Sequence, residues 1–165
     1  RKYFKFLATT TLTKGEWLVS KIIFYSLLML ASLALMFVVS IVVWGASVVL
    51  TPTALLLIVA GTFEFTSLGM ILGLYVKDTE TAAAVANAVG FPMMFLAGSF
   101  FPLESMPPFL QSVARVLPLT YVNEGLRATM VFGNESTALT YLLITAVAGL
   151  AFFLIPARAL SWKSK

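Results

Sequence analysis

The chain contains no cysteine, no histidine and a single aspartate, Asp78, and charged residues make up only 11% of its 165 positions. Without cysteine there is no disulfide framework. Without cysteine and histidine, the usual zinc and copper ligands are missing. A serine–histidine proteolytic pair needs an imidazole, and an aspartyl dyad needs a second aspartate. No G-x-x-x-x-G-K-[ST] phosphate loop occurs, so ATP hydrolysis of the usual kind has no seat in this chain. These absences disfavour catalysis by the chain, and no cofactor or metal site is expected in it.

The scarcity of charge points elsewhere. Hydrophobic residues reach 60% and the mean hydropathy is +0.98, against about half apolar and a quarter charged in soluble domains. The apolar positions come in long runs: residues 22–50, 81–103 and 136–157 carry no charge, and 51–76 carry only Glu64. A membrane-spanning helix needs about 20 such residues, whereas a membrane β-barrel shows alternating segments of about ten. The expectation is an all-α polytopic membrane helical bundle with four transmembrane helices, forming one transmembrane domain over residues 1–165. The abrupt basic opening, RKYFKF, suggests that further helices precede it. Nine of the eleven basic residues fall before the first run, at Lys77 or after the last run, while only Arg115 and Arg127 fall on the other side. The positive-inside rule then places both ends in the cytoplasm of a multi-pass cell-membrane protein. The net charge of +4 reads as a topology signal, with no nucleic-acid partner implied.

Local signals set the expected boundaries. Thr13 and Glu16 in TKGE have capping-box spacing, opening a helix that runs through Trp17 into the first span. Trp44–Gly45 should end that span, and Pro52 should open the next. Gly69 and Gly73 form a G-x-x-x-G face suited to close helix packing. The small-residue stretch TAAAVANAVG (81–90) predicts a third span lying against protein and ending at FFP (100–102). FGNEST (132–137) caps the last span, which is expected to end near Pro156.

Between the last two spans lies FPLESMPPFLQSVARVLPLTYVNEGLR (101–127), too polar and proline-rich to cross a bilayer. It predicts an amphipathic helical hairpin over 102–131 on the outer side. In its first helix Phe109, Leu110, Val113, Val116 and Leu117 share a face. In its second, Leu119, Val122, Leu126 and Met130 oppose Thr120, Glu124 and Arg127. The i, i+3 pair Glu124–Arg127 is expected to form an ion pair; the alternative is a polar rim at an exit. Glu64, mid-run, is costly in lipid and should face protein. It reads either as a pathway-lining group or as a protonated glutamate held by a neighbouring helix, with Thr62 and Thr66 assisting. Asn87 reads as an interhelical hydrogen-bonding residue.

This order of elements resembles the C-terminal portion of an ABC-2-type transporter permease, the membrane subunit of an ATP-binding-cassette exporter. The most specific part is FLAGSFFPLESMPPFLQSVARVLPLTYVNEGLRATM (95–130). The resemblance implies that residues 11–21 form a cytoplasmic coupling helix docking on an ATP-binding-cassette ATPase subunit, with Lys14, Gly15, Glu16 and Trp17 as contacts. It also implies a second permease copy, homo- or heterodimeric, in the lipid bilayer. Tyr121, Asn123, Glu124 and Arg127 would then lie at an outer gate. ATP and magnesium would be handled by the partner, and the substrate would be a drug, a lipid or a polysaccharide precursor. A non-transporting membrane scaffold or assembly protein is the competing reading.

Overall fold

The computed structural model describes residues 14–45, 49–76 and 78–159, and everything described is helix or connecting turn. Six helices follow one another: α1 (Lys14–Trp44), α2 (Pro52–Tyr75), α3 (Thr79–Leu96), α4 (Pro108–Ala114), α5 (Pro118–Met130) and α6 (Glu135–Ala159), with a 3-10 turn at Leu103–Ser105. Among the described residues, three stretches are long and apolar enough to cross a membrane: Val19–Val43, Pro52–Tyr75 and Glu135–Arg158. The helix within the third apolar run is shorter, spanning 18 residues.

The local signals place most boundaries. Helix α1 stops at Trp44 because Gly45 takes φ +61° and its N–H still bonds the Ile41 carbonyl. Thr51 caps α2 by accepting from the Ala54 N–H at 3.1 Å, with Pro52 in the first turn where a missing N–H costs nothing. Asp78 caps α3 through the Thr81 N–H at 2.7 Å. Asn134 caps α6 by accepting from the Thr137 N–H at 3.2 Å. The capping box at Thr13 lies outside the described residues. So do residues 11–13 of the coupling segment, Lys77, and the surroundings of Lys14, Gly15 and Trp17. From Lys14 onward the segment is one uninterrupted helix with the first span.

Two ends differ from expectation. Helix α3 stops at Leu96, short of FFP, because Gly98 takes φ +79° and turns the chain. Helix α6 runs past Pro156 to Ala159. Pro156 is fully buried, and packing around it holds the helix through a residue that removes one backbone bond.

The core is the seam between α2 and α6, which start at the same end and run side by side, with α5 wedged across their starts. Leu57, Ala128 and Ala138 form its centre, backed by Leu126 and Leu142. Contact is closest at glycines that carry no obvious motif. A Cβ on Gly125 would stand 2.9 Å from Leu57 Cδ2, and one on Gly149 2.8 Å from Phe63 Cδ1 and 3.3 Å from the Glu64 backbone. By contrast, nothing lies within 4 Å of a Cβ built on Gly69 or Gly73. The expected G-x-x-x-G contact is therefore absent from the fold of the described chain. Small-residue helix α3 likewise departs from expectation: from Glu80 to Pro92 its described side chains are exposed or half-buried.

A polar clamp ties the shared start of the bundle. The Thr129 hydroxyl, within a residue 2% exposed, meets the Thr51 hydroxyl at 2.5 Å and donates to Glu135 Oε1 at 2.5 Å. It joins the start of α2, the end of α5 and the start of α6. Thr129→Val leaves the Thr51 hydroxyl and the Glu135 carboxylate without this partner and should cost about 1–2 kcal/mol. Thermal unfolding in detergent, with Thr140→Val on the exposed face of α6 as a near-neutral control, measures it.

Candidate functional site

The 101–130 segment folds as two short helices, α4 and α5, set against the turn that ends α3. Its apolar faces are less regular than their spacing suggests. Leu110 and Val113 are half-buried, but Phe109 and Val116 stand free. On α5, both Val122 and Thr120 are buried, because α2 and α6 pack on the helix and the Thr120 hydroxyl donates to the Ala114 carbonyl at the end of α4.

The polar residues of LPLTYVNEGLR tie α5 to the chain on either side of α4. The Asn123 side-chain amide donates to the Ala97 carbonyl at 2.9 Å and to Ser99 Oγ at 2.8 Å. Arg127 donates through one nitrogen to the Gly98 carbonyl at 2.8 Å and through the other to Glu124 Oε1 at 3.1 Å. Thr120 and Tyr121 donate to the Ala114 and Arg115 carbonyls at 2.5 and 2.6 Å. The exit turn of α3 is thus latched onto α5 by its own carbonyls, which the positive-φ glycine presents outward. The predicted Glu124–Arg127 ion pair is present. Sequence spacing found that pair but not its purpose. The signal that was available is the AGS turn (97–99), a glycine between two small residues just after a helix. Thr51 and Glu135 of the clamp carried no signal beyond their places at helix starts, and Thr129 none at all within the last turn of α5.

Burial, the larger influence, pushes the Glu124 carboxyl above its ordinary value; Arg127 opposes this and Glu104 adds to it. A carboxyl raised in the folded state favours folding fully below the ordinary glutamate value of 4.5, and that contribution is lost as pH rises through the elevated folded value. Glu124→Gln should therefore flatten the acid-side rise in thermal midpoint over that window. Asp78 behaves oppositely: its hydrogen bonds from Thr81 lower its pKa, so its contribution disappears on acidification.

Two further features line the bundle. A largely apolar groove of about 940 Å³ runs between α1, α2 and α5, with Met29, Phe65, Gly69 and Val122 on its walls and Lys21 and Asn123 also contributing. Glu64 is not among its lining residues. It is 1% exposed, on the α2–α6 seam beside Gly149, and its Oε2 has no hydrogen-bond partner among the described residues. Thr62 does not assist it, because its hydroxyl donates to the Ile58 carbonyl at 2.7 Å. Asn87 is exposed on α3 and makes no hydrogen bond among the described residues, contrary to the expected interhelical bond. Glu16 is exposed near the start of α1. Asn123, Glu124 and Arg127 are brought together at the latch, with Tyr121 on the same helix bonded to the Arg115 carbonyl; Glu64, Asn87 and the Lys14–Trp17 segment lie apart from them. Among the described residues no cluster of three or more histidine, cysteine, aspartate or glutamate residues is placed to hold a metal.

Long apolar helices, joined by short helices and a polar latch, define a polytopic membrane helical protein. The family model described as "ABC-2 type transporter" matches residues 1–131, and the chain belongs to that family. It is similar to "Probable multidrug ABC transporter permease YbhS" of Escherichia coli, 26% identical over 90% of this chain and 40% of that protein. It is also similar to "Inner membrane transport permease YadH" of Escherichia coli, 29% identical over 55% of this chain and 36% of that protein. A third relative is "Linearmycin resistance permease protein LnrN" of Bacillus subtilis, 28% identical over 65% of this chain and 29% of that protein. The chain thus spans 40% or less of the length of these relatives. No solved structure matches it significantly.

Proposed function

We propose that this chain is the C-terminal part of a permease subunit of an ABC exporter, moving its substrate with ATP hydrolysed on a separate ATP-binding-cassette subunit. The observation that carries the reading is the family match across residues 1–131, which includes the whole latched hairpin. The printed names of the relatives favour a drug or antibiotic among drug, lipid and polysaccharide substrates.

In this reading α3 is the fourth span. Its 18 residues rise about 27 Å, close to the thickness of the hydrocarbon core. Both ends of the chain face the cytoplasm, a reading supported by the placement of the basic residues, and the hairpin lies outside. Residues 11–21 form the coupling helix, with Lys14, Gly15, Glu16 and Trp17 at the ATPase surface. Because α1 is one unbroken helix of 31 residues, a push at its cytoplasmic start travels about 46 Å along a stiff rod. A second permease copy faces the first, and rigid-body motion of the paired bundles alternates access. The latch keeps α3 and α5 moving together, which suits Tyr121, Asn123, Glu124 and Arg127 to an outer gate.

The full-length protein should co-purify with an ATP-binding-cassette subunit. The double change Glu16→Ala/Trp17→Ala should reduce both that association and transport in vesicles about tenfold or more, the effect of losing a single anchoring contact. Association and flux unchanged in this variant would remove the coupling assignment. A partner lacking nucleotide-binding motifs, with no flux, would turn the protein into a membrane scaffold.

A further inference from the structure

Beside the latch, α4, α5 and α6 enclose a polar cavity of about 200 Å³. Some of its polar groups are already committed. The Tyr121 hydroxyl donates to the Arg115 carbonyl, the Gln111 amide to the Met106 carbonyl, and one Glu124 oxygen accepts from Arg127. Four polar features of the lining residues make no hydrogen bond among the described residues: the Glu104 carboxylate, the second Glu124 oxygen, the Arg115 guanidinium and the Tyr141 hydroxyl. Two carboxylates and one guanidinium therefore line a single small space. The rings of Tyr121 and Tyr141 stand beside them, 6.2 Å apart and inclined at 49°.

This mixture restricts what fits. Arg127 already pairs with Glu124, so the unpaired charges facing the cavity are Glu104 and Arg115, one of each sign, and a simple anion or a simple cation leaves one of them opposed. A zwitterion satisfies both. Its ammonium end gains the carboxylates and the faces of the tyrosines, a preferred seat for organic cations. Its anionic end gains the bidentate fork of Arg115. Drug-sized ligands occupy about 300–1,000 Å³, so the occupant is smaller, of the size of a lipid headgroup. Phe109 and Val116, on the same short segment as Gln111 and Arg115, are 75% and 82% exposed. Helical spacing turns them to the face of the segment away from Gln111 and Arg115, so the cavity itself receives only the polar part of a ligand.

We propose that this cavity binds a zwitterionic headgroup of the phosphoethanolamine kind, its ammonium between Glu104 and Glu124 and its phosphate on Arg115. This holds independently of ATP-driven export. The same headgroup chemistry is available from a membrane aminophospholipid or from a soluble phosphoethanolamine ester, and the experiment separates them.

The full-length protein is purified and exchanged into nanodiscs containing equal phosphatidylethanolamine and phosphatidylglycerol, and the lipids retained on extraction are read by native mass spectrometry. In parallel, glycerophosphoethanolamine, inorganic phosphate and ethylammonium are each tested for thermal protection in detergent. Retention should favour the ethanolamine lipid about tenfold, the value of one charge-assisted contact. Glu104→Gln and Arg115→Gln, both at exposed positions, should each abolish that preference, while Glu80→Gln on α3 leaves it intact. Protection by glycerophosphoethanolamine without lipid preference would assign the same site to a soluble ligand. Equal retention of the two lipids without such protection overturns the proposal in the unmodified protein alone. So does protection by phosphate or ethylammonium equal to that by the zwitterion, or indifference of binding to both substitutions.

Discussion

Gly149→Val should lower the stability of the bundle by about 3 kcal/mol, the upper part of the range for forcing volume into a packed interior. The reason is geometric. Even a Cβ at position 149 comes within 2.8 Å of the Phe63 ring and 3.3 Å of the Glu64 backbone. The ring has little room to yield, because it packs against Phe153 at a centroid distance of 5.5 Å. The backbone of α2 would have to move as well, which means separating α2 from α6 along the seam that makes the core. The readout is the thermal midpoint of the purified protein in detergent. Gly73→Val supplies the control: its Cβ meets open space, and its cost should be confined to the helix-neutral exchange of glycine for a larger residue. If Gly149→Val melts where the unmodified protein does, the α2–α6 seam is not packed as described.

Glu64→Leu should leave the bundle as stable as before or stabilise it by about 1–3 kcal/mol, which makes Glu64 the opposite case. A buried carboxyl with one oxygen unpartnered carries its desolvation cost without repayment, and an apolar residue of similar volume removes that cost. Its neighbours along the seam are apolar or, like Thr62 and Ser67, spend their hydroxyls on their own helix at 2.7 and 2.8 Å. Thr145, one turn before Gly149 on α6, is also buried with an unpartnered hydroxyl. A stability gain accompanied by lost transport would show that the glutamate is retained for function at the expense of packing. A loss of about 3 kcal/mol or more, the cost of breaking a buried charged pair, would mean that the full-length protein supplies Glu64 with a cationic partner. Transport by Glu64→Gln across pH separates a proton-dependent role from a purely structural one.

The boundaries that sequence predicted correctly all rest on short-range chemistry. The starts at Pro52 and in FGNEST hold because the Thr51 and Asn134 side-chain oxygens reach an N–H three residues ahead, and nothing distant is needed. Gly45 stops α1 for the same kind of reason. The Glu124–Arg127 pair is i, i+3 and equally local. The misjudged features all depended on a second element. Gly69 and Gly73 match a packing motif but meet nothing in this fold, whereas Gly125 and Gly149, in no motif, meet side chains at under or about 3 Å. Thr62 and Glu64 look like partners by proximity in sequence, yet the hydroxyl prefers the carbonyl of its own helix. Pro156 looks like a terminus, and burial carries the helix through it.

The residues by themselves determined that the chain is helical, that it lies in a membrane and where most helices start, because apolar run length and capping are properties of single segments. Only the tertiary structure decided which faces meet. A span that is apolar all round offers no preferred side, so the choice falls to close steric fit between helices. That fit placed Glu64 on a seam, Phe63 over Gly149, and Asn123 and Arg127 on the carbonyls that follow α3.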